Sequence, residues 1–220
     1  THIARGARMA EFAGYNMPIS YSGIKEEHHA VRNNVGVFDV SHMGEFIIRG
    51  KGAMDLIQRV TSNNVVKLEI GDAQYSCFPN DKGGIIDDCL VYRLPEDQCA
   101  EGEQAFMLVV NASNIDKDWD WVNKHNEGIG ANLRNVSDDY SLLAIQGPKA
   151  VEAMQSLTSI DLAEIPFYKF KVADFAGVPY VIISATGYTG SGGFEIYVKN
   201  EEVEAVWNKV FEAGKDWGIK

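Results

Sequence analysis

Two short stretches of this sequence hold carboxylates where they could do chemistry. The first is Gly83-Gly84-Ile85-Ile86-Asp87-Asp88-Cys89-Leu90-Val91-Tyr92. Successive side chains of a strand point to opposite faces. Asp88 is therefore expected to share a face with Ile86, Leu90 and Tyr92, and Asp87 with Ile85, Cys89 and Val91. Both faces are apolar, which sets at least one carboxylate beside a core, where it needs donors, a partner or a ligand. Two solvated aspartates at a strand end are an equally good reading of this stretch taken alone. The second stretch is Ser184-Ala185-Thr186-Gly187-Tyr188-Thr189-Gly190-Ser191-Gly192-Gly193-Phe194-Glu195-Ile196. Its glycines force turns and let a ligand approach the backbone. Glu195 then opens a strand on the face opposite Phe194, Ile196 and Val198. A fixed carboxylate there can accept two N–H bonds from the edge of a ring such as a pterin. Without further support, a glycine-rich hairpin with a solvated glutamate is the commoner meaning of such a run.

Other chemistries find less support. In Phe38-Asp39-Val40-Ser41-His42-Met43-Gly44-Glu45, Ser41 and His42 are neighbours and point oppositely on a strand, so no Ser/His/Asp triad is expected. The three cysteines, Cys77, Cys89 and Cys99, are odd in number and form no CxxC, which speaks against a disulfide framework. No histidine pair has the spacing that sets two metal ligands on one helix face, and no metal site is expected. No GxGxxG or Walker loop follows a strand.

The chain has 220 residues, 45% of them hydrophobic and 23% charged, enough to bury a substantial core in one large or two small domains. Lys and Arg number 20 against 31 Asp and Glu, a net charge of −11. Such a surface repels phosphate backbones and anionic lipid, so neither nucleic acid nor membrane is an expected partner. No apolar run approaches the roughly 20 residues that span a bilayer.

The elements that must position these carboxylates follow from periodicity. Helices are predicted over 24–33, with Ile24, His28 and Val31 on one side, and over 51–60, where Ala53, Leu56, Ile57 and Val60 fall at helical spacing. A third covers 114–125, with Ile115, Trp119 and Val122, and a fourth begins at Pro148. The last, with Val203, Val206, Trp207, Val210 and Phe211, is capped by Asn200, and Gly214 lies just beyond. Strands are predicted at 37–41, 45–49, 105–111 and 140–145, with two or three more between 169 and 198. A hairpin joins 74–79 to 85–94. Strands in hairpin-like succession, without regular helical alternation, predict an α+β fold with mainly antiparallel sheets and flanking helices.

Six segments, in order, resemble the folate-dependent aminomethyltransferase of the glycine cleavage system, the T-protein family. They are Phe12-Ala13-Gly14-Tyr15-Asn16-Met17-Pro18, Gly36–Glu45, Gly83–Asp88, Val110-Asn111-Ala112, Gln146-Gly147-Pro148 and Thr186-Gly187-Tyr188-Thr189-Gly190. The resemblance covers nearly the whole chain but only the N-terminal two-thirds of the family, whose members continue into a Gly-Leu-Gly-Ala-Arg-Asp segment, folate-binding arginines and a C-terminal β-barrel domain. It implies two mixed units, an inserted one at 47–136 and a discontinuous folate-binding one at 1–46 and 137–220. It also implies a reaction: the one-carbon unit of an aminomethyl-lipoyl arm on the H-protein passes to tetrahydrofolate, and ammonia is released. On this resemblance Asp88 is the catalytic carboxylate and Glu195 the pterin-holding one. Tyr75, Tyr92, Asn111, Tyr168 and Tyr188 surround the folate, with Met43 and Leu90 as apolar wall. Tetrahydrofolate is then a co-substrate, lipoylated H-protein the partner, and the location the bacterial cytoplasm or the mitochondrial matrix. The 220 residues alone are expected to be inactive. Ser191 stands where many members have glutamate. Two relatives of the same resemblance are the rival readings: a non-enzymatic folate-binding factor, whose Lys-Gly-Cys-x-x-Gly-Gln-Glu signature is absent, and the folate domain of dimethylglycine or sarcosine dehydrogenases.

Overall fold

The computed structural model describes Thr1–Lys220 and divides into two units, Thr1–Ser41 with Tyr140–Lys220, and His42–Asp139. Each has its own five-stranded sheet, and every strand pair in both sheets is antiparallel. The fold is the expected α+β class with mainly antiparallel sheets.

The discontinuous unit opens with a hairpin of β1 (Arg8–Phe12) and β2 (Tyr15–Ser20), then α1 (Ile24–Asn33) and β3 (Gly36–Asp39). Its later half holds β9 (Tyr140–Gln146), α4 (Ala150–Met154), β10 (Phe170–Phe175), β11 (Val178–Ser184), β12 (Gly193–Lys199) and α5 (Asn200–Ala213). The sheet order β10-β11-β12-β9-β3 places the early strand β3 beside β9, which is how two distant stretches share one sheet. Phe194, Ile196 and Val198 of β12 point into a core with Leu143, Ile145, Ile183, Val206, Trp207 and Val210, so the alternation along β12 is the predicted one.

The inserted unit contains β4 (Gly44–Gly50), α2 (Ala53–Val60), β5 (Ala73–Pro79), β6 (Ile85–Arg93), β7 (Gln104–Val110), α3 (Ile115–Asn126) and β8 (Asn132–Asn135), with sheet order β5-β6-β7-β4-β8. Ala53, Leu56, Ile57 and Val60 are the buried residues of α2, the four that the spacing singles out. They pack with Phe46, Ile48, Phe78, Val91, Phe106, Leu108, Val110 and Val122 on one side of the sheet. Each buried Val, Leu, Ile or Phe among them contributes roughly 1.5–3 kcal/mol by leaving water.

Four details depart from expectation. Ile24 is 81% exposed and His28 is exposed too; of the expected side of α1 only Val31 is buried, beside Ala30. Asn200 does not cap α5: it is the first helical residue, and its side-chain oxygen accepts from Ser141 Oγ at 2.7 Å. The hairpin β1–β2 and the short strand β8 were not legible, since most of their residues are exposed or half-buried and carry no alternating apolar pattern. The fourth is a bulge. Phe78 pairs with Asp87 but Pro79 pairs with Ile85, so one residue of β6 is extra. A bulge interrupts alternation, and Ile86, expected on the face of Asp88, packs against the helix-covered core instead.

Candidate functional site

The inserted unit's sheet has a second face, and register builds it. Tyr75 pairs with Leu90, Leu90 with Val109, and Val109 with Glu45, a row across β5, β6, β7 and β4. Tyr92 pairs with Met107 in the next row of that face. Asp88 is two residues before Leu90 and opposite Cys77, which makes Tyr75 its diagonal neighbour. The Tyr75 hydroxyl donates to Asp88 Oδ2 at 2.6 Å. On the other side, Cys89 pairs with Val110, so Asn111 emerges beside Asp88, and its Nδ2 donates to Asp88 Oδ1 at 2.6 Å. Asp88 is thus held at both oxygens, on the strand face that carries Leu90 and Tyr92. Tyr75 is 50% exposed, Leu90 and Asp88 are half-buried, and Tyr92 is fully buried. Met43 is half-buried and immediately precedes β4.

Asp87 has a different role. The second hydrogen of the Asn111 amide reaches Asp87 Oδ1 at 3.1 Å, so one side chain bridges both aspartates. Burial pushes the Asp87 carboxyl up, but hydrogen bonds from Asp118, Asn114, Asn111 and the Asp88 backbone together hold it below the usual carboxylate range. Asp118, on α3, is wholly buried. Its pKa is pushed up to about 8, first by burial and then by its hydrogen bond and charge contact with Asp87. A position in the first turn of a helix favours negative charge by only about 0.3–1 kcal/mol, too little to offset burial. Glu45 is also buried, and burial alone pushes its pKa up to about 9, so it is a neutral acid at pH 7. Asp118 escaped the sequence reading although the signal was present: it is the i+3 position of the Ile115, Trp119, Val122 stripe, a carboxylate on the core-facing side of the helix.

The discontinuous unit holds Tyr168, Tyr188 and Glu195. Glu195 pairs with Ser184 across β11–β12 and with Ala144 of β9. Its carboxylate accepts from Thr186 Oγ1, and Thr186 Oγ1 also lies 2.9 Å from Ser184 Oγ. Burial raises the Glu195 pKa and the Thr186 bond draws it back, leaving it above the usual range. Tyr168, in the left-handed region at φ 63°, stacks edge-on with Phe167. Burial raises its hydroxyl, and the charges of Glu195 and Tyr188 raise it further, which brings these three residues into one neighbourhood. Tyr188 is 94% exposed at the loop tip.

Gln146 secures that loop. Its Nε2 donates to Thr186 O and Phe194 O at 3.1 and 3.2 Å, and its Oε1 accepts from Thr189 Oγ1 at 2.9 Å. Arg32 adds bonds to Thr189 O and Ser191 Oγ. Thr186 and Gln146 therefore join the site through the bonds they make, which sequence spacing did not reveal. Near the first unit's boundary, Ser41 Oγ donates to Asp39 Oδ1 at 2.6 Å, and His2 Nε2 meets Asp39 Oδ2 at 2.9 Å. The serine's partner is a carboxylate, so no imidazole stands ready to take its proton.

Comparison with known proteins bears on this arrangement. The GCVT N-terminal domain profile matches residues 1–220. An aminomethyltransferase of Flavobacterium psychrophilum is 60% identical over 219 residues, covering 100% of this chain and 59% of that protein. The aminomethyltransferase of Phocaeicola vulgatus is 57% identical over 220 residues, with 100% and 59% covered. The crystal structure of glycine cleavage system aminomethyltransferase T from Bartonella henselae matches with a TM-score of 0.86 at 30% identity, covering 100% of this chain and 56% of that one. A chain of the heterotetrameric sarcosine oxidase from Corynebacterium sp. U-96 shares the fold, with a TM-score of 0.65 at 14% identity over 88% of this chain and 92% of that one. The chain spans about three-fifths of the length of the curated relatives it matches. With the profile running from its first residue to its last, the chain belongs to the GCVT N-terminal domain family and corresponds to the N-terminal part of its aminomethyltransferase members.

Proposed function

We propose that this chain is the N-terminal part of a glycine-cleavage aminomethyltransferase, which moves the one-carbon unit of an aminomethyl-lipoyl H-protein to tetrahydrofolate and releases ammonia. The observation that carries the reading is Asp88: a carboxylate held from two sides by Tyr75 and Asn111, on a sheet face that also presents Leu90, in a chain of this family. The donor set suits a folate. A carboxylate has roughly four acceptor positions, and Tyr75 and Asn111 occupy two of Asp88's. A flat heterocycle also requires aromatic and aliphatic surface beside a few fixed polar groups, and Tyr75 and Leu90 supply it here.

Tetrahydrofolate, when bound, supplies the nitrogens that take up the one-carbon unit. The protein's part is positioning and electrostatics. Asp88 accepts a hydrogen bond from a folate nitrogen, fixes its direction and offsets positive charge as the unit is transferred. The same carboxylate takes the proton that the nitrogen loses. Tyr75 and Asn111 keep it from rotating away. In the discontinuous unit, Glu195, oriented by Thr186, is the residue suited to the N–H edge of the pterin, with Tyr168 and Tyr188 as its aromatic neighbours. Within the inserted unit, Asn111 and Met43 join Asp88 in the proposed set, while Tyr92 is fully buried.

The test uses the complete polypeptide with lipoylated H-protein and tetrahydrofolate. Asp88→Asn is expected to slow methylenetetrahydrofolate formation by about two orders of magnitude, the usual scale for a positioned acid–base group, with circular dichroism unchanged. Turnover near wild type in a folded Asp88→Asn variant would rule the assignment out.

A further inference from the structure

We propose that Asp118 is a positioning residue for Asp88: it carries the proton of an Asp118–Asp87 carboxyl pair, and through that pair fixes the Asn111 amide that holds Asp88. The role in turnover rests on the function proposed above; the proton and the pair do not.

Three buried oxygens motivate it. With both groups drawn as carboxylates, Asp118 Oδ1, Asp118 Oδ2 and Asp87 Oδ2 have no hydrogen-bond partner, although Asp118 is wholly buried. Buried polar atoms are rarely left so. The two side chains lie within hydrogen-bonding reach of each other. Two facing carboxylates cannot bond without a proton, and like charges at that separation do not both ionise. One proton on Asp118, donated to Asp87 Oδ2, partners two of the three oxygens and removes the clash of like charges. Asp87 Oδ2 is the oxygen that Asn111 leaves, since Asn111 uses Oδ1.

The proton then sets the rest in order. Asp87 remains a carboxylate and can accept one hydrogen of the Asn111 amide, and the other hydrogen goes to Asp88. Rotating that amide by half a turn would aim its oxygen at two carboxylates, so its orientation is determined. The chain of bonds runs from Asp118 through Asp87 and Asn111 to Asp88, and ends at the Tyr75 hydroxyl. The ionisable groups acting on Asp118 are Asp87 and Asp88 from β6 and Lys117 from its own helix. Lys117 is anchored elsewhere, its Nζ donating to Ile86 O at 2.8 Å. The Cys89 thiol nearby is itself pushed well up by burial and by Asp118.

The complete polypeptide and its Asp118→Asn and Asp118→Leu variants separate this arrangement from simple core filling. Infrared difference spectra of wild type minus Asp118→Asn are expected to show a carboxylic-acid C=O band at neutral pH that disappears as pH passes about 8. NMR of the Asn111 side chain is expected to show both amide hydrogens shifted downfield and slow to exchange with solvent. Asp118→Asn keeps a donor and should preserve the shifts; Asp118→Leu removes it and should move them upfield and speed their exchange with solvent, with turnover at least tenfold below that of Asp118→Asn. Absence of the acid band at neutral pH, or Asn111 resonances unchanged in the Leu variant, would overturn the proposal. A wild type that shows band and resonances but passes no one-carbon unit to tetrahydrofolate would refute the proposed function while the pair stands.

Discussion

Asp87 and Asp88 are adjacent, alike in type, and share the Asn111 amide, yet differ in every other bond they make. Asp88 receives Tyr75 and Asn111 on one face of the sheet; Asp87 receives Asn111 and Asp118 toward the other. Two substitutions follow from that difference. Tyr75→Phe deletes one donor to a carboxylate, worth about 1.5 kcal/mol at this half-exposed place, so turnover is expected to fall roughly tenfold with little change in folding. Asp87→Asn leaves Asp88 in place but gives Asn111 and Asp118 a poorer acceptor. On the function proposed above, the complete polypeptide with this change is expected to lose about tenfold in steady-state methylenetetrahydrofolate formation, less than with Asp88→Asn. A reversed order of the two aspartates would show that the strand faces have been assigned the wrong way round.

At the scale of elements, β-strand register does the assembling. Cys77 opposite Asp88 and Cys89 opposite Val110 bring Tyr75, Asp88 and Asn111 together from two strands and the end of a third. In the discontinuous unit the corresponding device is Gln146, at the end of β9, which bonds three atoms of the glycine-rich loop and its flanks. Gly187, at φ 149°, permits this: a Cβ there would stand 2.1 Å from Gln146 Oε1. Gln146→Leu keeps the volume and deletes the bonds, leaving the Thr186 and Phe194 carbonyls short of a donor. Each such group costs about 1–3 kcal/mol. Chemical denaturation should register that loss, and amide hydrogen exchange should rise in the loop around Tyr188 while β9 and β12 remain protected. Uniform exchange across loop and strands would assign Gln146 to the core rather than to the loop.

For the whole molecule, two carboxyls buried as neutral acids make stability fall as pH rises, and the raised Glu195 carboxyl acts in the same direction. Glu45 is raised to about 9 and Asp118 to about 8, each from an ordinary carboxylate value in the unfolded chain. Between those limits the folded protein binds more protons than the unfolded one, so stability falls as pH rises. Their contribution is complete below about pH 4, declines across the interval and is lost beyond about pH 9. Each group is worth on the order of a few kcal/mol over that range. Thermal denaturation is therefore expected to give a higher Tm at pH 6 than at pH 9. Glu45→Gln, which has no proton to lose, should flatten the curve and raise the Tm at pH 9. A Glu45→Gln variant with the wild-type slope would show that this carboxyl is ionised at neutral pH.

The sequence by itself determined what local pattern can determine. The stripe of α2, the alternation of β12 and the hairpin β5–β6 are periodic, and a periodic apolar residue has one direction in which to be buried. Asp88 was legible for the same reason, since its face follows from Leu90 and Tyr92 two and four residues on. What only the tertiary structure decided depends on neighbours far along the chain. The bulge that turns Ile86 inward is a matter of how β5 and β6 are paired, and no pattern within β6 announces it. The hairpin β1–β2 makes too little apolar contact to leave a pattern. Asn200 looked like a cap because its type suits one, and became the partner of Ser141 because β9 brings Ser141 to it. Asp118 was visible as a carboxylate on an apolar helix face, but its meaning came from Asp87, 31 residues earlier, standing across from it. A carboxylate's protonation and role are set by the groups within a few ångströms, and folding alone chooses those.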